Sequence, residues 1–453
     1  MRSPNVNHHA LLTDLYQLTM DAAYLDNDKA DEIATFEMFI RSLPADWGYF
    51  VAAGVDEALE IICGLRFTAD DIDYLRSTGL FKQVFLGYLE QFRFTGDIYA
   101  IQEATPFTAE TPIIRVTGPR PEAQLVETIL LNTVNFQTMI ASKTSRIVNA
   151  AGEAKVIDFG LRRAHGGDAG IMGARSAYLA GAIGTSNVEA AKRFGIPPSG
   201  TMAHSYVMGY DDELQSFRDY ASTFPKNAVL LIDTYDTIEG AKKAVQVAKE
   251  MEAKGEHLLG VRLDSGELEG LAEQVRSILD EAGLGYVKIV LSSDLNEYKI
   301  DKYTKDHAPV DFYGVGTELI TAKPVAALSG VYKLVEDDLG PRIKLSESKR
   351  TYPGRKQVYR ISEDGQYQYD VLELEDQSHE GTPLLSQVVK DGEIIRDKRS
   401  LEEIREYCLD CVSRLPDEVK TVHVKNPYGL KIGVGLQSLT DQLVEKYSKN
   451  RRE

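Results

Sequence analysis

Residues 154–163 read AKVIDFGLRR, a run of apolar and β-branched residues that stops at Asp158 and gives way to a glycine and two arginines. Six later stretches repeat that texture: AGAIGTSN (180–187), GTMAHSYV (200–207), AVLLIDTYD (228–236), LLGVRLDSG (258–266), VKIVLSSDLNE (287–297) and VDFYGVGTEL (310–319). Each ends in polar or glycine-rich residues and is followed by a helical pattern. Strands alternating with helices predict parallel βα units, and seven of them suit an irregular, incomplete (β/α) barrel; a doubly wound open sheet is the competing arrangement.

Outward from this core the texture changes. Residues 9–30 and 125–151 show apolar residues at helical spacing, and strand-like runs occupy 33–40, 96–103 and 111–117. Beyond 330, VYKLVEDDLGPRIKLS and KQVYRISEDGQYQYDVLELE read as hairpins, with Asp-Gly turns at 364–365 and 391–392, and helices are expected at 399–413 and 435–449. The expected organisation is an α+β domain over 1–145, the α/β barrel over 146–330, and β-rich and helical segments over 331–453 that complete the first domain.

Composition narrows the function. With 69 acidic against 51 basic residues, a formal charge of −18, the chain is a poor match for nucleic acid or an anionic membrane. No run of about 18 apolar residues occurs, and MRSPNVNHHALLTDLYQL lacks a signal-type apolar core, so a cytoplasmic protein is expected. Three cysteines make no disulfide framework, and Cys408 with Cys411 in CLDC has no second pair to complete a zinc site.

In parallel α/β folds ligands meet the carboxyl ends of the strands. Those ends supply Asp158, Arg162 and Arg163; Thr185, Ser186 and Asn187; Thr201, His204 and Ser205; Asp233 and Asp236; Arg262, Asp264 and Ser265; Ser292, Ser293 and Asp294; Gly314, Gly316 and Thr317. Arginines bind phosphate or carboxylate in bidentate fashion, glycine and hydroxyl tips hold anions, and carboxylates take ribose hydroxyls or magnesium. The inventory suits a phosphorylated sugar, although neither GxxxxGK[ST] nor a strand-linked GxGxxG is present. Asp264 lies two residues after Arg262, on the same face of an extended segment; it is also a candidate helix cap, as is Asp294.

The ordered set DLYQLTM, FGLRRAHG, GTSN, GTMAHS, VRLDSGEL, SSDLNE, YGVGTEL and KLSESKRTYPGRKQVYR closely resembles nicotinate phosphoribosyltransferase. The resemblance implies a homodimeric enzyme with active sites at the subunit interface. It would join nicotinate to 5-phosphoribosyl 1-pyrophosphate with coupled ATP hydrolysis and Mg2+, whose ligands are not assigned. It further implies that His204 is transiently phosphorylated, that Tyr16 (from the partner) and Phe159 sandwich the pyridine ring, and that Arg162 and Arg262 meet the carboxylate and the phosphates. Asp264 would orient the ribose, Asp294 a ribose hydroxyl, Thr201 would contact substrate, and Gly314, Gly316 and Thr317 would hold the 5-phosphate. Ser186 stands where nicotinamide-using relatives carry an aspartate, which favours an acid substrate. A nicotinamide phosphoribosyltransferase and a non-catalytic sugar-phosphate-binding protein on the same fold are the alternatives.

Overall fold

A computed structural model describes residues 10–345 and 351–449; residues 346–350 of the KLSESKRTYPGRKQVYR motif and the first nine residues lie outside the described set. The chain divides into two units, Met1–Met139 with Ala327–Glu453, and Ile140–Ala326. The helix Glu127–Ala151 carries the chain from the first into the second.

The second unit is built on five strands: β1 (Lys155–Asp158), β2 (Val229–Leu231), β3 (Gly260–Leu263), β4 (Lys288–Ser292) and β5 (Phe312–Val315). All pairings are parallel, in the order β1-β5-β4-β3-β2. From β2 to β5 chain neighbours are therefore sheet neighbours and the last strand returns to the first, which is the circular order of a barrel and not the reversal of a doubly wound sheet. On the other side of β1 the ladder continues in single steps, Asp158 to Thr185 and Thr185 to Pro198. Among the described residues no pairing links Pro198 to β2, so the barrel is open along that seam.

Two of the seven expected strands thus shrink to single bridges or vanish. AGAIGTSN contributes only Thr185, and GTMAHSYV is no strand: residues 201–203 are irregular and the helix His204–Met208 begins at the histidine. Pro197 and Pro198 lack the N–H groups a ladder needs, and the apolar residues that follow, Met202 and Val207, stand five apart, off a strand's period of two. By contrast β2 and β3 are wholly buried, as strands covered on both faces must be.

The first unit holds a seven-stranded antiparallel sheet in the order Gly340–Pro341, Gly330–Asp337, Ile33–Ile40, Ile114–Pro119, Asp97–Ala100, Ser386–Lys390, Glu393–Ile394. N-terminal and C-terminal segments interleave in it. A four-stranded sheet pairs the hairpin Lys356–Glu363 and Gln366–Leu374 with Thr382–Pro383 and Gly429–Ile432. Both expected Asp-Gly turns are present with positive φ at each residue, 51° and 81° at Asp364 and Gly365, 50° and 79° at Asp391 and Gly392, the type I′ geometry that matches strand twist. Cys408 and Cys411 are buried on the helix Leu401–Ser413, and the described residues contain no metal-holding cluster of His, Cys, Asp or Glu. No described helix is long and apolar enough to cross a membrane.

Candidate active site

The polar tips gather at the carboxyl ends of the barrel strands. At the end of β1 the buried carboxylate of Asp158 accepts from the Gly160 amide at 2.8 Å and the Thr185 hydroxyl at 2.7 Å. Burial pushes its pKa up, and these two hydrogen bonds oppose that shift. Asp158 thereby ties the 159–163 turn to the 185–187 turn, a link reinforced by the Ser186 amide donating to the Asp158 carbonyl at 2.8 Å. The Phe159 ring lies against Gly314 of β5, where an added Cβ would be 2.4 Å from two ring carbons. That glycine is thus required by the aromatic ring.

Across the seam sits His204, first residue of its helix and 37% exposed at the side chain. Its Nδ1 is 3.1 Å from the Thr234 hydroxyl just beyond β2, and its Nε2 is 3.6 Å from Asp264 Oδ2 just beyond β3, an ion-pair distance longer than a hydrogen bond. A neutral ring that keeps its proton on the Nε2 side facing the carboxylate leaves the Nδ1 lone pair to accept from Thr234. Asp264 is itself held: the Ser292 hydroxyl donates to Oδ1, and its amide donates to Asp233 Oδ2 at 2.8 Å, as does the Ser265 hydroxyl at 2.7 Å.

Arg262 is buried beneath this row and donates to the Thr201 hydroxyl. Burial pulls its pKa down; Asp264 and Asp233 counter the shift, and Arg162 adds to it by repulsion. Two buried polar atoms here have no hydrogen-bond partner among the described residues, Arg262 Nε and Asp233 Oδ1. An orphaned donor and an orphaned acceptor within one polar cluster are the expected mark of a ligand site.

Three family models match the chain, those of the nicotinate phosphoribosyltransferase N-terminal domain over residues 11–135, the nicotinate phosphoribosyltransferase family over 154–336, and the nicotinate phosphoribosyltransferase C-terminal domain over 377–440. The chain belongs to the nicotinate phosphoribosyltransferase family. It is 42% identical over 414 residues to a nicotinate phosphoribosyltransferase of Mycobacterium tuberculosis, covering 91% of this chain and 89% of that one. To the Bacillus subtilis nicotinate phosphoribosyltransferase it is 44% identical over 361 residues, 78% of this chain and 73% of that one. The structure of human nicotinic acid phosphoribosyltransferase superposes with a TM-score of 0.84 at 27% identity, over 95% of this chain and 99% of that one.

Within this nicotinate phosphoribosyltransferase fold, Arg262 pairs with Thr201 and His204 with Asp264, the two pairs being linked by the electrostatic pull of Asp264 on Arg262, and Phe159, Ser186 and Gly314 join a second group through Asp158. Arg162 is exposed on the short turn of helix Leu161–Arg163, near enough to Arg262 to be felt electrostatically. Gly316 precedes the four-residue helix Thr317–Ile320, with Thr317 half-buried. Asp294 is exposed with φ 36°, after Ser293 at 84°. The capping alternatives for the two aspartates fail: Glu267 caps the helix after Asp264, and Asn296 caps the helix after Asp294. Tyr16 lies in the other unit, on the helix Leu15–Asp26, 47% exposed. Sequence reasoning missed Thr234; the signal was a hydroxyl directly after Asp233 at the end of a buried run.

Proposed function

We propose that the protein is a nicotinate phosphoribosyltransferase of NAD salvage. The pyridine nitrogen of nicotinate attacks C1 of 5-phosphoribosyl 1-pyrophosphate, the C1–O bond breaks, and nicotinate mononucleotide and pyrophosphate leave. The observation that carries this reading is the buried Arg262, its Nε without a hydrogen-bond partner among the described residues, which feels the same Asp264 carboxylate that faces His204. A guanidinium removed from water is weakly screened and attracts an anion strongly.

In this reading Phe159 stacks on the pyridine ring with the partner subunit's Tyr16 on its other face, in a homodimer. Ser186 donates to the nicotinate carboxylate, where an aspartate would repel it. Arg162, Arg262 and Thr201 hold anionic groups, Gly314, Gly316 and Thr317 the 5-phosphate, and Asp294 a ribose hydroxyl. Asp264 lowers the energy of the cationic character that develops at C1. ATP hydrolysis is coupled through His204: a ring nitrogen takes the γ-phosphoryl group, ADP leaves, and water later cleaves the N–P bond. The half-buried ring, with the Thr234 hydroxyl 3.1 Å from Nδ1 and the Asp264 carboxylate 3.6 Å from Nε2, supports that role.

Magnesium binds mainly through phosphates with one or two carboxylates, and the unpaired Asp233 Oδ1 with Asp264 fits such a partial shell. Bound there, the ion would neutralise phosphate charge. We place the reaction in the cytoplasm.

Supplied with nicotinate, the sugar pyrophosphate, Mg2+ and ATP, the protein should form nicotinate mononucleotide and pyrophosphate, faster with ATP than without. His204→Asn should retain slow basal turnover, lose the ATP stimulation and lose acid-labile phosphate on the chain. Full ATP coupling in that variant would remove the phosphohistidine assignment, and preferred turnover of nicotinamide would overturn the substrate.

A further inference from the structure

Two motif residues are left without work by this reading, Glu297 at the end of SSDLNE and Glu318 in YGVGTEL. Both converge on Lys143, a residue of the long helix Glu127–Ala151. The Lys143 ammonium donates to Glu297 Oε2 and, at 2.7 Å, to the Lys323 carbonyl, and lies 3.9 Å from Glu318 Oε2. Arg146, one turn along the helix, donates to Glu297 Oε1 at 3.3 Å. The Lys143 and Glu297 side chains are each 1% exposed. Two buried cations thus face two carboxylates, and Lys323 Nζ meets Glu318 Oε1 at 3.2 Å on the open side.

The network reaches two of the barrel's loops. Glu297 begins the helix Glu297–Lys305, three residues after Asp294; Glu318 follows Thr317, and Lys323 ends the same loop. These are the loops assigned above to the ribose hydroxyl and the 5-phosphate. A buried charge holds its partners in a narrow range of positions because any separation leaves it uncompensated. We propose that Lys143 is a positioning residue which, through Glu297 and Glu318, fixes the spacing between the two loops that grip the phosphoribosyl group. The inference rests on that assignment of the loops. Lys143 makes none of the hydrogen bonds described for the Phe159 and Ser186 cluster and ties directly only to the two sugar-holding loops, so the larger effect falls on the sugar substrate.

The test is Lys143→Arg, which keeps the charge but lengthens and widens the tie, with Lys143→Met as the stronger lesion. Thermal midpoint, the KM for each substrate measured separately, and the midpoint shift caused by the sugar pyrophosphate alone are read for both. Lys143→Arg should melt near the wild type, raise the KM for the sugar pyrophosphate by about tenfold and leave that for nicotinate within about twofold, since misplaced binding groups cost affinity where they bind. Lys143→Met should widen the same split if it folds; Lys143→Arg decides the matter if it does not. Unchanged KM values in Lys143→Arg, or both raised together, would overturn the inference. Should the wild type turn over no nicotinate, the functional reading falls, while a smaller midpoint shift with the sugar pyrophosphate in Lys143→Arg would still support the positioning role and an equal shift would refute it.

Discussion

A methyl group at position 314 would sit 2.4 Å from two ring carbons of Phe159, inside any tolerable contact. Gly314→Ala should therefore tilt the ring, raising the KM for nicotinate about tenfold or more while costing about 1–3 kcal/mol of stability. Steady-state kinetics against each substrate check this, and an unchanged nicotinate KM would show that the ring is not part of the pyridine pocket. At this scale the sequence is readable where spacing alone decides: Arg262 and Asp264, two apart on an extended run, lie near enough to interact electrostatically. It is unreadable where backbone angles choose among equals. In DSGEL the cap could be Asp264, Ser265 or Glu267, and only the φ and ψ of each show that Glu267 takes it, which frees Asp264 for His204.

The five strand segments with continuous buried runs were legible, because burial on both faces leaves an apolar signature. GTMAHSYV misleads because a short mixed segment carries no clear period, and strand or helix is decided there by the prolines before it. The Asp-Gly hairpins were legible for a different reason, that few sequences accept two positive φ values in succession. They also allow a paired prediction. A Cβ on Gly365 meets nothing within 4 Å, whereas one on Gly392 would be 2.1 Å from the Phe94 carbonyl oxygen. Gly365→Ala should cost only the left-handed penalty, about 1–2 kcal/mol, and Gly392→Ala clearly more. Urea midpoints of the two variants measure the difference, and equal losses would contradict the close approach at Gly392.

Across the whole molecule the excess of acid makes stability sensitive to how each carboxylate is housed, and Asp21 is housed worst. It is 1% exposed, neither oxygen has a hydrogen-bond partner among the described residues, and burial raises its pKa well above the ordinary carboxylate range. Below about pH 4 it is protonated in both folded and unfolded chains and has no effect. As pH rises further the unfolded chain releases the proton and the folded chain retains it, so stability falls until the folded pKa is passed. Asp21→Asn should melt like the wild type near pH 4 and higher, by a few degrees, at pH 8; equal midpoints at pH 8 would mean the carboxylate has found a counter-charge. The interleaved sheet has a consequence for how the chain is made. The strand Ile33–Ile40 is flanked on one side by Gly330–Asp337, and Asp97–Ala100 by Ser386–Lys390, partners that emerge from the ribosome nearly three hundred residues later. At 5–20 residues per second that is a wait of roughly 15–60 s. The continuous barrel segment is complete before then, so during synthesis Ile33–Ile40 and Asp97–Ala100 each wait with one edge unpaired until those later strands emerge.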